Sequence, residues 1–173
     1  SAFSPDEGGT YYFDLSSFEI PGTLNTSLPD TSLHYVPFTY AGAVDSYNVI
    51  NGTHASDEYA ATRRASRGLL MCEYNVTKEV CWNDLRAGGF AYGNSLSQGG
   101  LDLILRMPSV GARKRFESLE ETEAGLPIFN EWDAITAKGI DIKNFYKEPS
   151  WGQDAGIISG LDGLRAKNTQ NVY

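Results

Sequence analysis

Histidine is the commonest general base near neutral pH, and the chain has two, His34 and His54. Neither lies near a Gly-x-Ser-x-Gly elbow, so its many Ser and Asp residues have no base beside them in a recognisable nucleophilic pattern. Glycoside hydrolysis needs two acids facing each other across about 5 to 9.5 Å. Glu131 and Asp133 sit together at a helix start, where they point to different sides and do not supply that pair alone. Gly88-Gly89 and Gly99-Gly100 lack the Lys-Ser/Thr or strand-to-helix setting of a phosphate loop. A structural zinc site takes four Cys or His ligands, and Cys72 and Cys81 have only the distant His34 and His54 to add. The expectation is a protein with no catalytic residues, no metal and no cofactor.

Recognition is the chemistry these residue types serve better. Phe145, Tyr146 and Trp151, followed by Gln153 and Asp154, lie in a turn-rich C-terminal third. Loops carry binding, and Tyr and Trp make good anchors for protein or sugar. These five are the candidate ligand-binding residues; the same aromatics serve equally well as core filling. Cys72 and Cys81 flank a segment that reads as two short strands meeting in a turn. Cysteines at the open ends of a hairpin reach the roughly 5.5 Å Cα separation of a disulfide, and the alternative is two buried thiols. A disulfide would place the protein outside a reducing cytosol. The sequons at Asn25, Asn51 and Asn75 arise readily by chance in a chain rich in Asn, Ser and Thr.

The elements that must position these residues are short. Thr10 to Leu15 has the aromatic enrichment of a strand, broken by Ile20-Pro21-Gly22-Thr23. His34 to Tyr40 is a second strand, which Pro37 confines to an edge or a bulge. Ser56 opens a helix running through Ala65, with Arg63, Arg64 and Arg67 on a solvated face. Gly68 to Cys72 has the continuous apolar character of a central strand, with Val76 to Trp82 as its partner. Trp82 to Ala87 is a short helix ended by Gly88-Gly89. Leu101 to Arg106 is a strand stopped by Met107-Pro108, and Gly111 to Gly125 is a charged, solvated stretch. Asn130 caps a helix to Lys138 that turns Trp132 and Ile135 inward. Beyond Gly139 no element stands out.

Composition bounds the rest. The 173 residues make one domain, with 14 Lys and Arg against 22 Asp and Glu and a formal net charge of -8. That balance disfavours nucleic acid and anionic membranes. With 41% hydrophobic and 21% charged residues the chain can bury a core, and no apolar stretch approaches the roughly 20 residues that span a bilayer. Eighteen Gly, ten Tyr and eight Phe against two Met lean toward a secreted or surface module. The start at Ser1, without Met, reads as a processed or excised piece.

Three segments carry a resemblance. Val80-Cys81-Trp82-Asn83-Asp84-Leu85 is similar to the strand-to-helix step, and Leu126-Pro127-Ile128-Phe129-Asn130-Glu131-Trp132-Asp133 to the LPTxxEWE segment, of the C-type lectin fold of formylglycine-generating-enzyme type. Trp151-Gly152-Gln153-Asp154 resembles the Trp-bearing turn of many bacterial members. The likeness spans Gly68 to Asp154, about half of the chain. It implies an α+β, C-type-lectin-like domain of short twisted strands, two or three short helices and long loops. Residues 1–55 form an N-terminal strand and loop segment and 56–173 the core, within one domain 1–173. Asn130, Glu131 and Trp132 anchor the helix: Asn130 caps it, Trp132 enters the core, and the acids favour the positive helix N-terminus.

Members of this fold end bacterial surface adhesins and form the variable receptor-binding proteins of diversity-generating retroelements. The enzymatic members carry a cysteine pair near the end of the domain, whereas Cys72 and Cys81 lie earlier and nothing replaces that pair. The final Arg-Gly and Gly-Phe-Arg pattern is also missing, the chain closing Gly160-Leu161-Asp162-Gly163-Leu164-Arg165 to Val172-Tyr173. Calcium-binding lectins use an early Glu-Pro-Asn and a later Trp-Asn-Asp triplet of oxygen ligands. Trp82-Asn83-Asp84 and Glu148-Pro149-Ser150 stand in the reverse order, so they are read as coincidence. The expectation is a non-enzymatic, secreted or cell-surface adhesin or receptor-binding domain of bacterial or phage origin, with a host or cell-surface protein or glycan as partner. It binds no nucleic acid, inserts in no membrane, and can belong to a longer surface protein or an oligomer. Its alternatives are a divergent enzyme of the formylglycine-generating fold and a structural or oligomerising module.

Overall fold

A computed structural model describes residues 3–47, 65–110, 130–140, 150–153, 156–159 and 162–165. Strand β1 (Thr10–Phe13) pairs antiparallel with β3 (Val36–Ser46), which pairs antiparallel with β4 (Ala65–Cys72), so β3 is the middle strand. The expected edge and centre are therefore exchanged. Pro37 is tolerated in the middle strand because of where its missing N–H points. Its carbonyl accepts from Glu73 N at 3.0 Å, and in an antiparallel strand N–H and C=O share a side. The absent donor faces the far end of β4, whose register starts one residue later at Phe38 with Cys72. The irregularity lies instead between Tyr40 and Gly42, where Ala41 is the extra residue. Gly42 has φ +74° there, a left-handed conformation that a side chain would strain.

Two short strands, β2 (Thr23–Leu24) and β5 (Thr77–Lys78), pair with each other. The segment after β4 thus leaves its sheet instead of folding back on it. The hairpin expected between Cys72 and Cys81 does not form, and both cysteines stand as free thiols. This corrects the expected disulfide: β5 is held by β2, so no ladder brings the two sulfurs together.

Helix α1 (Trp82–Ala87) begins after Cys81, which offers no side-chain cap. Its end is a Schellman motif: Phe90 N donates to Leu85 O, Gly89 N donates to Arg86 O, and Gly89 takes φ +86°. The β6 (Asn94–Gln98) and β7 (Leu101–Leu105) hairpin turns through Gly99 and Gly100, both with positive φ, which suits a two-residue loop. Helix α2 (Glu131–Ala137) packs on β3. Asn130 Oδ1 accepts from Asp133 N at 2.9 Å, the capping geometry the sequence predicts. Strands β8 (Ser150–Trp151), β9 (Gly156–Ser159) and β10 (Asp162–Arg165) form a separate antiparallel sheet in the order β10-β9-β8.

The apolar side chains sort into three clusters. One face of β3 and β4 meets α2 through Ala41, Val44, Met71, Trp132 and Ile135. The opposite face meets the β6-β7 hairpin through Phe13, Val36, Phe38 and Leu96. Helix α1 joins Val80, Phe90, Met107 and Trp151 in the third. The architecture is α+β, rich in short sheets with two short helices among the described residues. None of those helices is long and apolar enough to cross a membrane.

Candidate functional site: a cavity between two strand edges

The clusters do not close completely. A partly open cavity of about 480 Å³ lies between β4 and β7, with Ile135 of α2 and Leu85 of α1 contributing to its wall. That volume falls in the range of small-ligand and peptide-side-chain sites. It is lined by every residue from Arg67 to Cys72 and every residue from Asp102 to Pro108. Successive strand residues point to opposite faces, and here Leu69 and Met71 belong to the cluster under α2 while Leu70 and Cys72 belong to the cluster under the hairpin. A space that touches both faces of one strand lies beside its edge. The cavity therefore meets β4 and β7 edge-on.

Its polar groups differ in how well they are satisfied. Arg106 is paired: its Nη1 and Nη2 donate to Glu131 Oε1 at 2.6 Å and Oε2 at 2.8 Å. Ser109 N adds a third hydrogen bond to Glu131 Oε1 at 2.9 Å, and Glu131 N donates to Ser109 Oγ at 3.0 Å. Glu131, with 0% of its surface exposed, is thus a buried anion with a bidentate cation. Asp102 accepts from Ser97 Oγ at the hairpin surface. Arg67 is different. Its Nη1 is buried with no hydrogen-bond partner, and the Asn75 Oδ1 at the same cavity is likewise unpartnered. Burial pushes the Cys72 thiol, also on the wall, up to about 12.

The residues singled out from sequence fall into three groups. Asn130, Glu131 and Trp132 come together as expected at the start of α2, the carboxylate doing more than its helix position predicts. Trp151 is buried, its Nε1 donating to Val80 O at 2.9 Å, and Gln153 is fully buried with its backbone N on Pro108 O at 2.7 Å. Trp151 both lines the cavity and belongs to the third apolar cluster, while Gln153 is a buried polar residue outside the cavity wall. Phe145, Tyr146 and Asp154 lie outside the described residues, as do the charged stretch 111–125, Arg63, Arg64 and the predicted helix from Ser56, except its last residue. That residue, Ala65, opens β4, so Arg67 stands on a strand at the cavity and not on a solvated helix face.

Sequence reasoning missed Arg67, Asn75 and Arg106. The one available signal was a basic residue immediately before a continuous apolar run. His34 does gain neighbours: its Nδ1 is 2.8 Å from Ser32 Oγ, which donates to Asp30 Oδ1 at 2.6 Å. The hydroxyl proton is spent on the carboxylate, so His34 does not face a proton to abstract from Ser32. Hydrogen bonds from the Ser32 hydroxyl and amide hold the Asp30 carboxyl below its ordinary value. Asp84 sits in the first turn of α1. No cluster of three or more metal-ligating side chains occurs among the described residues. Asn25, in a sequon, spends its amide on Asn75 O and Ser27 N. No family, curated protein or solved structure matches the chain.

Proposed function

We propose that the chain is a non-enzymatic extracellular ligand-binding domain of the adhesin or receptor-binding kind, built on a C-type-lectin-like scaffold. Its recognition site is the cavity between β4 and β7. One observation carries this reading: a partly open cavity of about 480 Å³ with a largely apolar wall on which the polar side chains of Arg67 and Asn75 also stand. A binding pocket combines apolar walls with a few polar groups that orient the ligand. The scaffold assignment is supported by the Leu126 to Asp133 segment, whose described part forms a helix capped by Asn130 with Trp132 in the core.

The test is a binding screen of the purified domain against host and cell-surface proteins and glycans, with calcium and again with chelator. Ile104 lines the cavity yet is 60% exposed, so Ile104→Arg charges the rim at little cost to folding. A hit lost in that variant, with unchanged unfolding, is the expected result. Hits indifferent to Ile104→Arg would remove the cavity from the reading. Silence of the folded domain would favour a structural or oligomerising module.

A further inference from the structure

Backbone chemistry at the cavity is more specific than its apolar lining. In the described residues β4 has β3 on one side and no strand on the other, and β7 has only β6. In an antiparallel ladder alternate residues turn their N–H and C=O to one neighbour, and the others turn theirs away. The outward groups of β4 therefore face the cavity. No hydrogen bond from the described residues reaches the backbone of Arg67 to Cys72 except within the β3 ladder. Backbone donors and acceptors in an apolar space are costly unless paired, and an open strand edge is a template for another strand.

Three further features set the chemistry of the occupant. Leu69 and Met71 border the space on one face, and Leu70 and Leu103 on the other. A strand seated there is covered on both faces, which calls for a continuous apolar run. Arg67 stands at one end of this edge with no ion-pair partner among the described residues, while the other lining guanidinium, Arg106, is already taken by Glu131. An arginine whose charge is unmatched in the fold is complemented by a carboxylate. From Arg67 to Cys72 an extended partner of about five or six residues spans the edge at about 3.3 Å per residue.

We propose that the cavity takes an extended segment of a partner polypeptide, added as a strand along the edge of β4 that no described strand pairs, apolar along its length and with a carboxylate near Arg67. Strand addition of this kind draws affinity from main-chain hydrogen bonds and specificity from side-chain pockets. The inference rests on the ligand-binding reading above and narrows its partner to a protein with an exposed apolar, acid-ended segment.

The experiment is selection of a random heptapeptide phage library on the folded domain, followed by binding measurements on synthetic copies of the enriched peptides. Expected is enrichment of apolar runs with Asp, Glu or a free C-terminus at one end. N-methylation at every second amide should weaken binding at least tenfold in one parity and by less than threefold in the other, because only one set of amides faces β4. Arg67→Gln should weaken the acidic peptide about tenfold and leave its amide counterpart unchanged. No enrichment, or peptides indifferent to N-methylation and to Arg67→Gln, overturns the proposal. A glycan or protein hit that is lost in Ile104→Arg while no peptide is enriched also overturns it and leaves the binding reading standing. Silence in both experiments removes both.

Discussion

Replacing Arg106 by Met should destabilise the domain more than any substitution on its surface. Glu131 is fully buried and accepts three hydrogen bonds, two of them from Arg106. Without the guanidinium, the carboxylate keeps only the Ser109 amide in surroundings that include Trp132 and Ile135. Each hydrogen bond to a charged group contributes about 1.5 to 3 kcal/mol, and removing one partner of a buried pair costs about 3 to 5 kcal/mol. Against a total stability of about 5 to 15 kcal/mol that is about a fifth or more. At about 2 to 4 °C per kcal/mol for a chain of this length, the midpoint should fall by about 10 °C. Glu131→Leu should cost a similar amount, because it strands a guanidinium whose side chain is only 9% exposed.

The double variant Arg106→Met/Glu131→Leu is the informative arm. It leaves neither ion behind, so its cost should lie well below the sum of the two single costs, with a coupling of about 2 kcal/mol or more. Urea unfolding of all four proteins, at unchanged m-value, measures this directly. Single variants costing under about 1 kcal/mol, or a double variant equal to the sum, would show that the pair is not the buried, coupled unit described.

Other consequences are local. Asn130→Ala should lose about 1 kcal/mol, with Asn130→Ser restoring most of it. Asn130→Asp should not, since Asn130 Nδ2 donates to Asp133 Oδ2 at 2.8 Å and a second carboxylate would repel it; urea midpoints rank the three. Trp151→Phe should cost about 1 to 3 kcal/mol by leaving the Val80 carbonyl unpaired. All three tryptophans are buried, so emission of the native protein should be blue-shifted and resist acrylamide quenching. Cys72 gives stability a pH dependence of known sign. Its folded thiol holds its proton up to about 12, above the unfolded value near 9. Below pH 9 both states bind that proton; above it only the unfolded state releases it, so stability falls by about 1.4 kcal/mol per pH unit. Unfolding at pH 8 and pH 10 should show this extra loss relative to Cys72→Ala. Thiol titration in denaturant without reductant should count two free cysteines, and a count of zero would restore the disulfide.

The parts of the fold legible in the sequence are those decided within a few residues. Asn130 before Glu131-Trp132-Asp133 specifies a cap and an inward face through local hydrogen bonding and helical spacing, and α2 follows it. Gly88-Gly89 after Trp82 to Ala87 specifies a helix stop because only glycine takes positive φ freely. Strand β6, Asn94-Ser95-Leu96-Ser97-Gln98, has one large apolar residue, so it carries no alternation to read. Its existence depends on β7 across a glycine turn. Strand partners are likewise beyond local reading: β5 follows β4 directly but pairs with β2, about fifty residues upstream. The missing hairpin and the separate thiols are one consequence of that choice.

The exchange of centre and edge explains why the sequence did not point to the edge of β4. A continuous apolar run such as Gly68 to Cys72 reports burial on both faces of a strand. It says nothing about whether the strand's edges are paired, because the N–H and C=O groups along an edge are common to every residue but proline. In β4 the two properties separate: α2 covers one face and the β6-β7 hairpin the other, while the outer edge meets a cavity. The aromatic residues that sequence reasoning favours as anchors are the ones a loop-rich domain most needs inside, and Trp151 is spent that way, holding the Val80 carbonyl. Arg67 is the exception that sequence could show. Its charge stands beside an apolar run on the cavity wall, and among the described residues no carboxylate pairs with it.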